Sequence, residues 1–371
     1  MGLENIVESA RKKHGDEKVI LSLEQKGFIV SLLKDGKTKE KEVKNINEFQ
    51  GLIKKASVSW VDYIVEDLKR DAIGVASSLG FSESLVNTLL ARASESGYED
   101  LDTEMGLLVP VISAKQFDVK IDYLLLLIRK NVVVTIHTTQ ATRFFRLRRY
   151  GKIFMRKIKP TDPKQDKITM VLTRILDENN TRNFDALRGI EISADGVSEM
   201  LSRTDTNREE IGREIHRMKH ALMIYMNGLW ETIDVLNTLR YGDPELLSDD
   251  RRLLERIGAL TIETNYQIEL AEHMSQVLAS GLEVMQSIYN NQLQLLNNKL
   301  AMLVAYLTIL GTAVLVPNTL ATIFGVPFLP YGEEFLPSYE VIILGSTVVS
   351  IIIAYIWVRT SGLLPKRIDQ P

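Results

Sequence analysis

The C-terminal residues hold the feature that most constrains this fold, a pair of long apolar runs. Leu300–Ile323 holds twenty-four residues without a charge, and Val341–Val358 forms a second apolar run. A helix needs about 20 apolar residues to cross a bilayer core of about 30 Å. The pair therefore predicts a hairpin of two membrane spans, at about residues 300–323 and 341–358, within a C-terminal region of residues 299–371.

The charges beside the two runs predict the orientation of the hairpin. Basic residues lie before the first run and after the second, whereas the loop between them is acidic. Because basic residues favour the cytoplasmic side, we expect a multi-pass protein of the plasma membrane with both termini in the cytoplasm. Met1–Ala10 has no apolar stretch of the kind found in a cleavable signal peptide. The charges that carry this orientation are Lys299, Arg359, Lys366 and Arg367 outside the loop, and Glu333 and Glu334 within it.

Composition and motifs exclude several classes of function. The net charge is −3, which gives no global field for nucleic acid, and the absence of cysteine excludes disulfides and thiolate metal sites. No phosphate-binding glycine loop or clustered catalytic residues occur, so we predict neither an enzyme nor a bound cofactor. His216 and His220 lie four residues apart, but Arg217 and Lys219 stand between them and would repel a metal ion. A plain helix face is the favoured interpretation of this histidine pair.

Residues 1–165 have the pattern of an α/β domain. Short apolar and β-branched runs alternate with amphipathic stretches, which predicts a mixed sheet with helices in a cytoplasmic domain. The predicted strands are Lys18–Leu23, Phe28–Leu33, Trp60–Val65, Gly106–Ser113, Ile121–Ile128 and Asn131–His137, and the predicted helices are Asp67–Leu79 and Ser82–Ala93. The first two strands would form a hairpin that turns at Gln25-Lys26-Gly27.

A strongly basic segment, Arg143–Lys159, follows the last predicted strand and also carries aromatic residues. Basic and aromatic residues together can bind nucleic acid or lipid headgroups. We favour a solvated helix face that acidic neighbours balance in an assembly, since most charge runs are of that kind. No nucleic-acid partner is therefore predicted. Thr161-Asp162-Pro163 ends the segment.

Residues 166–298 are predicted to be a helical region that ends in a stalk helix. Apolar residues recur every three or four positions in Ile168–Glu178, Asp185–Leu201 and Arg208–Leu239, and Tyr241-Gly242-Asp243-Pro244 then interrupts the pattern. From Glu245 there is no proline until Pro317, so one helix is predicted from Glu245 to Thr322. Its nearly heptad spacing is typical of a coiled coil. So long a helix is not stable alone in water, which predicts packing against further copies of the chain.

This stalk helix also has an uneven distribution of charge. Ile257–Asn298 contains no lysine or arginine but four glutamates, Glu263, Glu269, Glu272 and Glu283. If several copies surround an axis, these carboxylates would attract cations toward it. Equally, they can face solvent on the outside of the assembly.

The order of these features resembles the CorA family of magnesium channels, and the likeness covers most of the chain. The C-terminal two-span hairpin after a long helix and an α/β domain carries much of it. The segments similar to the family are Trp60–Asp62, Leu79-Gly80-Phe81, Val132-Val133-Val134-Thr135, Glu214–Leu239 with Leu229-Trp230-Glu231 inside it, Leu307-Thr308, Pro317 and Phe335-Leu336-Pro337.

The resemblance implies a homopentameric funnel in which the first span of each subunit lines a pore and the α/β domains lie in the cytoplasm. It implies passive flux of a divalent cation, most simply Mg²⁺, which would be the transported ion and a possible regulator. The partners would be other copies of the chain, membrane lipid and divalent cations. Acidic residues that bridge subunits in the family have no counterpart in Leu85-Val86-Asn87-Thr88-Leu89, which places regulation at that position in doubt.

The chain departs from the family in the loop that follows the first span. Gly325-Val326-Pro327 replaces the Gly-Met-Asn signature, so neither Val326 nor Pro327 offers a side-chain oxygen. A selectivity loop would then use main-chain carbonyls or Glu333 and Glu334. These glutamates can also serve only to keep the loop outside the cell. Changed selectivity for Co²⁺, Ni²⁺ or Zn²⁺, or a non-conducting scaffold or sensor, is therefore an alternative function.

The family's register predicts which residues would line the pore. The position of its pore asparagine falls on Ala301, and Asn297 and Asn298 lie one turn lower. Above them an apolar constriction would close the path by dewetting. Packing against lipid or a neighbouring helix is the alternative for the same residues. The predicted pore-lining residues are Asn297, Asn298, Ala301, Val304, Leu307, Gly311 and Leu315.

Overall fold

The computed structural model describes residues 27–43, 46–91, 97–139, 141, 144–202, 208–242, 244–325 and 336–360. These residues belong to two compact units that divide between Ala279 and Ser280. The first unit contains the sheet and the helices around it. The second contains the two apolar helices.

A seven-stranded sheet forms the centre of the first unit. Its order is β2-β1-β3-β7-β6-β5-β4, and only the β3–β7 pair is parallel among the paired strands. The strands are β1 (Gly27–Leu33), β2 (Thr38–Val43), β3 (Ala56–Val65), β4 (Gly97–Asp100), β5 (Glu104–Lys115), β6 (Asp118–Arg129) and β7 (Val132–Thr138). The predicted mixed sheet is confirmed, and its central strands coincide with the apolar runs of the sequence.

The strand that forms a hairpin with β1 differs from the prediction. β1 pairs with β2 along one edge and with β3 along the other, so both of its edges are occupied. The predicted partner, Lys18–Leu23, lies outside the described residues. β2 has the sequence TKEKEV, and four of its six residues are exposed. Charged residues on an edge strand oppose aggregation, and the same polarity removes the alternation by which a strand is recognised.

Helices cover both faces of the sheet, which is why its central strands are apolar on both sides. In β6, Leu124, Leu126 and Ile128 join one core, whereas Leu125 and Leu127 join the other. The first core packs against the later helices and the second against the early ones. The helices of this unit are α1 (Gln50–Lys55), α2 (Leu68–Ser78), α3 (Glu83–Ala91), α4 (Phe144–Met155), α5 (Lys164–Ser202), α6 (Arg208–Tyr241) and the first part of α7 (Arg251–Phe324).

α5 is one helix of 39 residues, whereas the sequence predicted two shorter helices over the same region. The polar stretch between them, Asn179–Phe184, continues the helix because its amides find partners in neighbouring elements. Asn179 Nδ2 donates to the Pro110 carbonyl at 2.9 Å, and Asn183 Oδ1 accepts from the backbone N–H of Ile112 at 3.2 Å. Polar residues in this helix therefore bind the sheet instead of ending the helix.

Phe144–Met155, within the basic segment Arg143–Lys159, forms α4, which packs against the sheet. Leu147 and Met155 are fully buried, and Arg148 is 6% exposed. Arg146, Arg149, Lys157 and Lys159 remain exposed, whereas Lys152 is half-buried. The interpretation as a solvated helix face therefore describes the exposed basic residues but not Arg148, which lies inside the protein.

Arg148 is buried because Asp62, on the same side of β3 as Trp60, is its partner. Arg148 Nε donates to Asp62 Oδ2 at 2.5 Å, and His137 Nε2 lies 3.1 Å from Asp62 Oδ1. The hydroxyl of Thr135 also contacts this carboxylate. Burial by itself would raise the pKa of Asp62, but Arg148, His137 and Thr135 together hold that pKa well below its usual range. The ion pair anchors α4 to β3 and β7.

The second unit contains the end of α7 and α8 (Leu336–Thr360). α7 has 74 residues, and Pro317 lies inside it. It begins six residues after the predicted start and ends at Phe324, two residues beyond Thr322. The predicted long helix is therefore continuous through the region of the first span.

Candidate functional site

Two helices of the structure are long and apolar enough to cross a membrane, by length and composition. They are the end of α7, which contains the predicted span 300–323, and α8, which contains the predicted span 341–358. Their large apolar side chains are mostly exposed, unlike those of a soluble core. Exposed apolar surface of this extent needs lipid or another protein surface to cover it.

Small residues bring the two helices together. Ala305 on α7 and Ala354 on α8 are almost fully buried. Thr308 and Thr312 from α7 line one small cleft together with Ser350 from α8. Small side chains let helix backbones approach closely within a membrane.

The hydroxyls of this region are satisfied within their own helices. Thr308 Oγ1 donates to the Val304 carbonyl at 2.9 Å, and Thr319 Oγ1 donates to the Leu315 carbonyl at 2.8 Å. Thr322 Oγ1 donates in the same way to the Asn318 carbonyl at 2.8 Å. Polar groups in a bilayer must find such internal partners, so these bonds do not themselves indicate an ion site.

Three of the predicted pore-lining residues, Val304, Gly311 and Leu315, share a face of α7 that stays exposed beside α8. Successive residues of a helix are rotated by about 100° around its axis. Measured around this axis, Leu315 lies about 20° from Val304 and about 40° from Gly311, but about 80° from the buried Ala305. Leu307, about 80° from Leu315 on the other side, forms the edge of this face. Val304 is 56% exposed, and Leu315 is 68% exposed. We call the side of α7 that carries Val304, Gly311 and Leu315 the open face of α7.

The three predicted pore-lining residues at the start of this region, Asn297, Asn298 and Ala301, differ in exposure and in their position around the helix. Asn297 is exposed, whereas Asn298 and Ala301 are half-buried. Asn298 lies about 100° from Leu315, so it is not on the open face. Asn297 and Ala301 lie within about 40° of Leu315.

Asn318 is a polar residue of this region that does not belong to the predicted pore-lining set. It is exposed and lies about 60° from Leu315, at the edge of the open face and about one turn above it. It is also the only amide side chain between Lys299 and Phe324. That isolation within an apolar span was a signal available in the sequence, because a carboxamide in hydrocarbon is costly unless it has a role.

The predicted selectivity loop is described only at its first residue. Gly325 follows the end of α7, and its N–H donates to the Ala321 carbonyl at 3.0 Å. Val326, Pro327, Glu333 and Glu334 lie outside the described residues. Their predicted roles therefore stay predictions.

The four glutamates of the stalk helix are exposed in the single chain. Glu263 differs from the others, because its Oε2 accepts from Asn180 Nδ2 on α5 at 3.2 Å. Glu269, Glu272 and Glu283 show no such contact with the rest of the described chain. Glu263 thus helps to join α5 to α7.

No group of three or more metal-ligating side chains occurs among the described residues. His216 and His220 are both exposed on α6. A cation that passes along the open face would therefore meet amide and main-chain oxygens and apolar side chains, with no cage of protein ligands among the described residues.

The chain has a mixed-sheet domain, then a helix of 74 residues whose end is apolar, and then a second apolar helix. These features define the class as a two-span membrane protein with a large N-terminal domain. The family model described as CorA-like Mg²⁺ transporter protein matches residues 55–360. The chain therefore belongs to this family.

Solved structures share the fold. The complete CorA magnesium transporter from Methanocaldococcus jannaschii has a TM-score of 0.65 at 18% identity, over 91% of this chain and 98% of that one. The full-length CmaX protein has a TM-score of 0.60 at 13% identity, over 90% of this chain and 97% of that one. At such identities the likeness concerns the fold alone. A comparison with curated proteins finds no match.

Proposed function

We propose that this protein conducts divalent cations across the plasma membrane through a path that the open face of α7 lines in several copies of the chain. Mg²⁺ is the ion we propose, because it is the ion of the family description. Five copies and cytoplasmic termini follow from the family resemblance and from the charges beside the spans. The flux is passive, driven by the gradient and by a membrane potential worth about 2.3 kcal/mol per unit charge per 100 mV.

The observation that carries this proposal is the open face itself. On one side of the apolar end of α7, Ala305 is buried and Thr308 and Thr312 line a cleft with Ser350 of α8, while Val304 and Leu315 stay exposed. Copies of the chain that meet along this face would enclose an axis. Apolar side chains at such an axis supply a constriction that excludes water when narrow and conducts when wide.

Asn318 supplies a side-chain oxygen, which the loop Gly325-Val326-Pro327 does not have. A ring of its carboxamides near the outer end of the apolar stretch would offer oxygen dipoles to the water shell of an entering cation. This role takes over part of what the Gly-Met-Asn asparagine would do in the family. Glu333 and Glu334 would raise the local cation concentration outside this ring.

The experiment is ion flux into liposomes that contain the purified full-length protein and a fluorescent divalent-ion reporter. Mg²⁺, Co²⁺, Ni²⁺ and Zn²⁺ are each applied as a gradient. We expect Mg²⁺ entry in the unmodified protein and a loss of about tenfold or more in Leu315→Trp, because an indole at a narrow constriction blocks it. Absence of flux for all four ions, with the oligomer intact, would refute the proposal.

A matched variant separates the open face from the rest of the helix. Leu310→Trp makes the same chemical change at a residue that is 64% exposed and lies about 140° from Leu315. It should leave flux near the unmodified rate. Equal losses in both variants would assign the effect to the helix or its insertion and not to a path along the open face.

A further inference from the structure

A cleft on the first unit has features that ion conduction does not use. It lies between α4, α5 and the start of α7, and its volume is about 690 Å³. Binding sites for small molecules have volumes of about 300–1,000 Å³ and combine apolar walls with a few convergent polar groups. The described residues around this cleft have that composition.

The floor of the cleft is apolar and is fixed by the core. Ile158 and Leu260 are 4% and 5% exposed. Phe154 packs against the same core, with its ring centroid 6.0 Å from that of the buried Trp60. The floor therefore exists before any ligand arrives.

The α4 wall carries large apolar side chains on a helix that is otherwise basic. Tyr150 is 51% exposed and Ile153 is 55% exposed. A flat aromatic group placed between this wall and Met170 of α5 would cover them.

Two cationic groups of the cleft have no ion-pair partner in the part of the chain that the structure describes. Lys157 and Arg256 line the cleft, and neither has an ion-pair partner among the described residues. Two carboxylates also line the cleft: Asp177 pairs with Arg174, and Glu263 accepts a hydrogen bond from Asn180 but keeps its charge. The three lining cations, Lys157, Arg174 and Arg256, outnumber these two carboxylates. Two free cations beside an apolar wall are complementary to a molecule with a multiply charged anionic end and a flat apolar end.

We propose that this cleft binds a nucleoside di- or triphosphate, with the phosphates at Lys157 and Arg256 and the base against Tyr150 and Ile153. Arginine and lysine both bind phosphate through charge-assisted hydrogen bonds. Bases stack on aromatic side chains with little dependence on their identity. Occupancy would join α4 to α7, so the ligand is positioned to report a cytoplasmic nucleotide to the helix that continues into the membrane.

The test is binding of a fluorescent N-methylanthraniloyl derivative of ADP to the full-length protein in detergent without divalent cations. We expect saturable binding that ADP and ATP displace, and an affinity about tenfold weaker in Lys157→Ala/Arg256→Ala, since charge-assisted bonds to phosphate are lost. Lys159→Ala/Arg251→Ala removes the same charge from exposed residues outside the cleft and should bind normally. Equal affinity in the two double variants would overturn the proposal.

Competitors decide which part of the nucleotide is recognised. Pyrophosphate and adenosine should each displace the probe more weakly than ADP, because each fills one half of the cleft. Pyrophosphate as effective as ADP would overturn the role of the apolar wall. Dodecyl phosphate more effective than ADP would assign the cleft to an amphiphile in place of a nucleotide.

Two further measurements locate the ligand and exclude a second copy as the occupant. Photocrosslinking with 8-azido-ADP should label a peptide that includes Tyr150–Lys157, and labelling elsewhere would overturn the assignment. The chain has no native cysteine, so Ile153→Cys gives a single thiol in the cleft. A maleimide should label it in the assembled oligomer, and ADP should slow the labelling. A thiol protected without nucleotide would instead show that another subunit covers the cleft.

Discussion

At the scale of single residues, the buried group around Asp62 explains why a basic helix can pack on an apolar sheet. Asp62 is fully buried, and Arg148 and His137 lie within hydrogen-bonding distance of its two carboxylate oxygens. Trp60 Nε1 donates to Thr135 Oγ1 at 3.1 Å, which extends the network into the core. Removing one member of a buried ion pair costs about 3–5 kcal/mol, because the other charge stays buried without compensation.

Asp62→Asn should therefore lower stability at neutral pH by about 3–5 kcal/mol. The pKa of Asp62 is lowered in the folded state, so its contribution is present above the ordinary carboxyl pKa of about 4 and is lost as the pH falls toward the folded value. The difference between variant and unmodified protein should shrink as the pH is lowered from 7 to 3. Thermal unfolding followed by tryptophan fluorescence measures both effects.

The surface pair Arg70–Asp71, in which Arg70 is exposed and Asp71 is half-exposed, provides the control for that variant. Arg70 holds the pKa of Asp71 down to about 2 through a hydrogen bond, but the carboxylate is solvated. Exposed pairs contribute little, so Asp71→Asn should leave the unfolding midpoint nearly unchanged. A comparable loss in both variants would contradict the importance of burial. Asp62→Asn with Arg148→Met should recover part of the loss, because no charge is then left unpaired.

Asn318 is the second residue that merits mutation. Asn318→Leu should lower Mg²⁺ flux by about tenfold, since the replacement removes a carboxamide dipole from the open face. Asn298→Leu makes the same change at a half-buried residue about 100° from Leu315 and should conduct normally. Stopped-flow measurement on liposomes compares the two rates. Normal flux in Asn318→Leu would remove this residue from the proposed path.

At the scale of elements, close approach of a helix to the sheet depends on a glycine in β5. A methyl group at Gly106 would collide with the side chain of Leu89 on α3 and would lie 3.2 Å from Leu127 Cδ2. Both leucines are fully buried, so a shift of either side chain would disturb the packing around it. The residues of β5 and α3 are therefore fitted to each other in a way that apolar periodicity alone does not reveal.

Gly106→Ala should destabilise the protein by about 1–3 kcal/mol through overpacking. Gly74→Ala, inside α2 where nothing lies within 4 Å of the new methyl, should stabilise it by about 0.5–1 kcal/mol through helix propensity. The midpoints of thermal unfolding should thus move in opposite directions. A shift of the same sign in both would show that packing around Gly106 is looser than described.

The elements themselves were predictable to different degrees. β3, β5, β6 and β7 coincide with apolar runs, and α2 begins where the side chain of Asp67 accepts from the Arg70 N–H at 3.0 Å. β2 was missed because its residues are polar and its strand character depends on pairing with β1. The continuity of α5 was missed because its asparagines bind the sheet, a partner far away in sequence. Local patterns predict elements whose stability is local, and they fail where a distant partner decides.

At the scale of the whole molecule, the proposed path requires copies of α7 to face one another. The chain has no cysteine, so single introduced thiols are unambiguous probes. Leu315→Cys should form crosslinks between copies with a short bis-maleimide in lipid, because the open face would surround the axis. Leu310→Cys, on another side of the helix, should not. Crosslinking at Leu310 alone would place a different face at the centre.

The sequence by itself determined the two apolar spans, the long helix, the mixed sheet and the family resemblance, because each depends on residue order and on periodicity within one segment. It did not determine that Arg148 is buried, since that depends on Asp62, 86 residues away. Nor did it determine which side of α7 stays uncovered, or that Lys157 and Arg256 converge on one cleft. These features depend on how separate helices and strands pack, and packing is decided by contacts between residues that are distant in the chain.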